Sequence, residues 1–147
     1  MNLITACTLT SAFLFTGGDI TEAIKKDKAA LQGTWKVTAS ESKGEKVPAD
    51  DIKLFLIFKG DAILVREGGK DGSNFTYLLD PLKKVKEMDL TLKVGPQKGR
   101  VDRAIYELDG DKLRICIQTN KDEARPRDFA TRAGSDLWLI VLQRSKE

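Results

Sequence analysis

The chain has 147 residues, 41% of them hydrophobic and 32% charged, enough for one domain with its own core and unlike a disordered tail. Its 25 Lys and Arg against 22 Asp and Glu leave a net charge of +3, and the signs alternate closely, as in Lys43-Gly44-Glu45-Lys46, which excludes the one-sided basic face of a nucleic-acid binder. Histidine is absent, which removes His-based triads, histidine general acid–base catalysis and the usual zinc, copper and non-haem iron sites.

Residues 3–15 form an apolar stretch without a charge, about as long as the h-region of a secretory signal, and Thr16-Gly17-Gly18 supplies small residues after it. We read residues 1–18 as a signal peptide cleaved after Gly18, and residues 19–147 as a domain exported to the periplasm, the cell envelope or the exterior. Only the terminal amine is positive ahead of the run, which suggests a start assigned a few residues late. A buried N-terminal strand is the alternative. The run is too short to span a bilayer, which takes roughly 20 apolar residues, so no stable membrane insertion is expected. Too few residues precede Cys7 for a lipid anchor there. Without this segment only Cys116 remains, so no intrachain disulfide forms. In Leu113-Arg114-Ile115-Cys116-Ile117 it reads as a small packing residue.

Asp19-Ile20-Thr21-Glu22 is a capping-box pattern. Ile20, Ala23, Ile24, Ala30 and Leu31 share one face at helical spacing, which predicts a short amphipathic helix over residues 20–31 that exits at Gly33. Everything afterwards reads as strands and short turns. Strands are expected at residues 35–39, 54–58, 62–66, 75–79, 88–94, 105–108, 113–117 and 137–142. The turn Asp109-Gly110 makes the clearest hairpin. Loops are expected at residues 41–50, 68–73, 95–100 and 119–127, the last leading into a short strand at Phe129. Eight strands with no long helix between them predict an all-β, antiparallel up-and-down barrel with one short N-terminal helix, a sandwich being the alternative.

Gly33-Thr34-Trp35 opens the first strand just after the helix, and Arg144 closes the last. This resembles the lipocalin superfamily, in which the Trp of a Gly-x-Trp packs beneath an Arg from the end of the barrel; a guanidinium over an indole gains cation–π energy. A closer resemblance rests on Leu31-Gln32-Gly33-Thr34-Trp35-Lys36-Val37, Leu79-Asp80-Pro81, Ile105-Tyr106-Glu107-Leu108-Asp109-Gly110-Asp111, Arg125-Pro126 with Phe129, and Val141-Leu142-Gln143-Arg144. These look like a family of small exported domains common in planctomycete bacteria. The resemblance implies a lipocalin-like barrel in which Gly33, Trp35 and Arg144 are structural, and no catalytic residues.

Asp109 and Asp111 read as turn chemistry, too short a series for a calcium loop. Gly68-Gly69 and Gly95-Pro96 are turn signals without a Walker pattern. Arg125-Pro126-Arg127 could attract an anion but reads better as an ordinary loop. No catalytic residue, metal site or cofactor is assigned, and an enzyme ranks last. Residues 54–58 and 137–142 are apolar on both strand faces, so their outer faces need a cover; the helix is the expected one, ahead of a partner subunit or a barrel neighbour. Strand parity puts Trp35, Val37 and Ala39 inside on the first strand, and Trp138, Ile140, Leu142 and Arg144 on one face of the last.

Two functions follow. The first is a binding module that holds a small apolar or amphipathic ligand in the barrel, with Trp35, Val37, Phe55, Ile57, Phe75, Tyr77, Tyr106 and Trp138 as lining candidates. The second is an envelope interaction or structural module with a filled core and a protein partner. Cavity volume discriminates between them.

Overall fold

The computed structural model describes residues 18–146; the signal-peptide reading and Cys7 therefore lie almost wholly outside the described residues. The chain folds as a closed antiparallel barrel. A helix, α1 (Gly18–Leu31), precedes β1 (Gly33–Ser42), β2 (Glu45–Lys46), β3 (Leu54–Lys59), β4 (Ala62–Glu67), β5 (Lys70–Asp80), β6 (Glu87–Leu92), β7 (Val101–Asp109), β8 (Lys112–Gln118) and β9 (Leu137–Arg144). Neighbours in sequence pair antiparallel from β3 to β9, β1 pairs β3, and β1 also pairs β9. That last pairing closes an eight-stranded barrel, with β2 a short flap on the end of β1.

Eight predicted strands thus have counterparts, with shifted bounds. The tight turn Gly68-Gly69 uses left-handed glycines, so β5 begins at Lys70, where a loop was expected. The loop expected at residues 41–50 instead holds the end of β1, β2 and the start of a helical turn, Ala49–Asp51. Asp19 lies inside the first turn of α1 instead of capping it. Phe129 is not in a strand; residues 119–136 form one long strap without regular structure.

Parity holds where alternation is clean and fails where it is not. Trp35, Val37, Tyr77 and Tyr106 are buried in the core, and Phe75 and Trp138 are partly buried against it. On β3, however, Leu54, Leu56 and Phe58 face inward, while Phe55 and Ile57 take the opposite face. A continuous apolar run carries no parity signal, and register decides instead: Trp35 lies opposite Leu56, and Gly33 opposite Phe58. A bulge between Val37 and Ala39 turns Ala39 outward, where it is exposed, and brings the Ser40 hydroxyl in to accept from Trp138 Nε1 at 2.9 Å.

The helix does not cover the outer faces of β3 and β9 as expected; it plugs one end of the barrel. Leu31 is 0% exposed within the core, worth about 2 kcal/mol of apolar burial. The carbonyls of the last helical turn would be orphaned there, and barrel side chains receive them. Trp35 Nε1 donates to Leu31 O at 2.8 Å. Arg144 lies 4.2 Å over the Trp35 ring and donates to Ala30 O and to Gln32 O at 2.5 and 2.8 Å. Gln32 donates to Lys28 O and ties the helix to Gly60 in the β3–β4 turn. Gly33, at φ +113°, makes the turn from helix to strand in a region that L side chains rarely occupy.

The strap covers one band of the outer surface, from β1 through β9, β8 and β7 to β6. Glu41, Leu139, Cys116, Ile105 and Glu87 form one row across five strands, and the strap runs along it. Thr131 Oγ1 donates to Glu41, Ala130 O accepts from Cys116 Sγ, and Arg125 pairs with Glu87 and Asp89. This explains how Ile105 and Cys116 are buried while facing away from the barrel interior.

Arg144→Met keeps apolar bulk over Trp35 but removes the guanidinium and both carbonyl contacts. It should cost about 2–4 kcal/mol in urea unfolding followed by tryptophan fluorescence. A loss under about 0.5 kcal/mol would show that the plug does not depend on Arg144.

Candidate ligand site in the barrel

The end opposite α1 is where β7 and β9 begin and β8 ends. Inside it lies a cavity of about 110 Å³. Its wall is apolar: Leu56, Ile63, Val65, Phe75, Leu90, Ile115, Ile117, Trp138 and Ile140. These residues arrive there because each is an inward position of its strand. Three polar residues complete the lining, Arg100, Asp102 and Thr119.

Asp102 is the unusual member. Parity from Tyr106 through Ala104 puts it inside, and its side chain is 5% exposed. Arg100, just before β7, folds over it. Nη2 donates to Oδ2 at 2.9 Å, and Nε lies 2.8 Å from Oδ1. The second contact is close enough for an ion pair but out of hydrogen-bonding alignment: Arg100 Nε and Asp102 Oδ1 are buried without a hydrogen bond among the described residues. Arg100 is further held by Gln97 Oε1.

Arg100 and Thr119 also belong to a polar cleft outside, lined with Gln97, Lys98, Asn120, Lys121, Asp122 and Asp136. The apolar cavity and the polar cleft therefore share a wall. Lys121 pairs with Asp122, and Asn120 donates to Asp136, so the cleft offers hydrogen-bonding groups more than net charge.

Of the sequence candidates, only Phe75 and Trp138 line this cavity. Trp35, Val37, Tyr77 and Tyr106 pack the solid half of the core next to α1, and Phe55 and Ile57 lie outside it. The apolar lining from β3, β4, β6 and β8 was missed, and so was the Arg100–Asp102 pair. Asp102 was within reach of the sequence, since it stands four residues before Tyr106 on the same strand face.

The plugged end holds a second polar group. Tyr106 Oη and Lys86 Nζ both donate to Asp27 Oδ2, each at 2.7 Å. Burial, reinforced by the hydrogen bond to the Asp27 carboxylate, pushes the Tyr106 hydroxyl well above its ordinary value. Burial raises Tyr77 too, against a hydrogen bond from Gln32. Behind the strap, burial pushes the Cys116 thiol up to about 11, the opposite of an activated nucleophile. Arg125, weighed above as an anion attractor, spends its donors on Asp89, Met88 O and Ala104 O. Among the described residues no group of three or more His, Cys, Asp or Glu is placed to hold a metal, and no helix is long and apolar enough to cross a membrane.

The raised thiol and phenols make alkaline stability diagnostic. The folded protein keeps protons that the unfolded chain releases, so their contribution is complete below about pH 9. It is lost as pH rises, first through Cys116, from an ordinary 9.0 to about 11, and then through the tyrosines. The urea midpoint should fall from about pH 9 upward, and Tyr106→Phe should fall less steeply above pH 10. A flat midpoint to pH 11 would contradict this burial.

Against known proteins, the chain matches no family model and no curated sequence.

Proposed function

We propose that the chain is a non-enzymatic binding module that holds a small apolar or amphipathic molecule in the barrel. Its apolar part sits in the cavity and its polar part at the rim, toward the cleft. One observation carries this reading: an apolar void of about 110 Å³ shares Arg100 and Thr119 with a polar cleft. Apolar voids of about 150 Å³ stay dry and accept benzene, so the ligand is of that order of size. The reading agrees with the resemblance to small exported lipocalin-like domains, and export itself rests on the sequence of residues 1–18.

The small volume also supports the second reading, an envelope interaction module with a mostly filled core. In its favour is a shallow apolar groove outside the barrel, lined by Ala39, Val47, Ala49, Leu139 and Val141, with Val47 43% exposed.

Titration with toluene, followed by methyl NMR, separates the two. The binding reading expects saturable shifts at Leu56, Val65, Ile115, Ile117 and Ile140. No saturable shift, or shifts confined to Val47, Leu139 and Val141, would overturn it in favour of the filled barrel.

A further inference from the structure

We infer that the side of the barrel left bare by the strap, centred on β4 and β5, docks on the surface of an anionic lipid bilayer. The inference is independent of the cavity and of what it holds.

On that side the outward positions line up in rows. Thr34, Ile57, Leu64 and Asn74 stand opposite one another in turn from β1 to β5, and Lys93 ends the row, donating its backbone N–H to Asn74 O at 2.8 Å. The next row begins at Lys59 and runs through Ala62, Thr76 and Thr91 to Val101. Between its ends neither row carries a charge, in a chain of which 32% is charged. Leu78 stands beside them, 74% exposed, and Val101 is 43% exposed. Lone exposed aliphatics are ordinary. A charge-free stretch running from β1 to β7 has instead the composition of a contact surface.

The border of this face names the partner. Lys36 lies opposite Phe55, one row beyond, and Arg103 opposite Asp89, which pairs Leu78. With Lys59 and Lys93 these cations are exposed, and none makes a side-chain hydrogen bond or ion pair among the described residues. The carboxylates bordering the same rows are already matched: Asp71 by Arg66, Asp89 by Arg125 and Asp61 by Lys28. Signs that alternate along the chain therefore sort, in three dimensions, into an unmatched positive rim around an aliphatic centre.

A second copy of the chain would set these cations against their like. The face is the outside of a barrel, so it presents Leu78 as a knob where a protein partner's anchor needs a pocket. A polyanion read by charge alone would leave Leu78 and Val101 in water. An anionic bilayer meets both features: the cations sit among headgroup phosphates, and the aliphatic side chains enter the boundary beneath them. The contact is peripheral and needs no spanning segment.

Sedimentation with vesicles of phosphatidylglycerol and phosphatidylcholine in equal parts tests this, with pure phosphatidylcholine as the control. The described residues form the whole barrel with its plug, so the chain from Gly18 onward is used. It should bind the mixed vesicles at low salt, bind phosphatidylcholine far more weakly, and be released as NaCl rises. Neutralising the rim, in Lys36→Gln/Lys59→Gln/Lys93→Gln/Arg103→Gln, should weaken binding at least about fiftyfold. The same change of charge elsewhere, in Lys26→Gln/Lys46→Gln/Lys83→Gln/Lys84→Gln, should cost less than about fivefold. Leu78→Ser/Val101→Ser should cost about tenfold. All these positions are exposed, so the urea midpoint should hold in every variant. No binding to the mixed vesicles, or equal losses from the two charge variants, would overturn the inference. Unchanged binding by Leu78→Ser/Val101→Ser would also overturn it, in favour of an acidic protein or another polyanion.

Discussion

The guanidinium of Arg144 on the face of Trp35 is the contact on which the rest of this molecule hangs. Trp35 belongs to the first strand and Arg144 to the last, and the two lie opposite each other where β1 meets β9. Their stacking at 4.2 Å therefore sits on the seam that makes a sheet into a barrel. Both side chains also reach carbonyls at the end of α1, so one cluster closes the barrel and fastens its plug. A helix end inserted into an apolar barrel would otherwise carry unmet acceptors, each costing on the order of 1–3 kcal/mol.

That closure divides the interior in two. Next to the plug, Trp35, Phe58, Tyr77, Met88 and Tyr106 fill the space, with the Phe58 and Tyr77 rings edge to face at 5.4 Å. Toward the other end the inward residues, mostly aliphatic with Phe75 and Trp138 among them, leave space, and the cavity appears there. The polar groups follow the same division. At the plug, Asp27 is matched by Tyr106 and Lys86. At the mouth, Asp102 is paired with Arg100. The site is thus a product of where the filled half of the core ends and of one carboxylate placed inward by strand parity.

The sequence carried the architecture well, because strand count, turn glycines and the Gly33-Thr34-Trp35 and Arg144 pair are local signals. It carried the interior less well. Clean alternation places Tyr77, Tyr106 and Trp138, but residues 54–58 are apolar throughout, so parity has nothing to fix its phase there and puts Phe55 and Ile57 inside wrongly. The bulge after Val37 reversed Ala39, and no residue type announces a bulge there. The helix was read as a cover for outer faces because its amphipathic stripe says that it packs, not where. The cover that exists, residues 119–136, has no periodicity at all. Its anchors, Arg125, Ala130 and Thr131, work through side-chain and carbonyl bonds that become visible only once Glu41, Cys116 and Glu87 stand in one row.

The central claim is that one end of the barrel is sealed by Trp35, Arg144 and α1, and that the cavity lies toward the other. Hydrogen exchange of the two indole N–H groups, followed by NMR, tests it most directly. The Trp35 indole is buried and bonded to Leu31 O, whereas the Trp138 indole is bonded to Ser40 near the mouth. The account predicts that the Trp35 proton exchanges only with global unfolding, orders of magnitude more slowly than that of Trp138. Equal rates, or a faster Trp35, would mean that the plug opens independently of the fold, and the account would be contradicted.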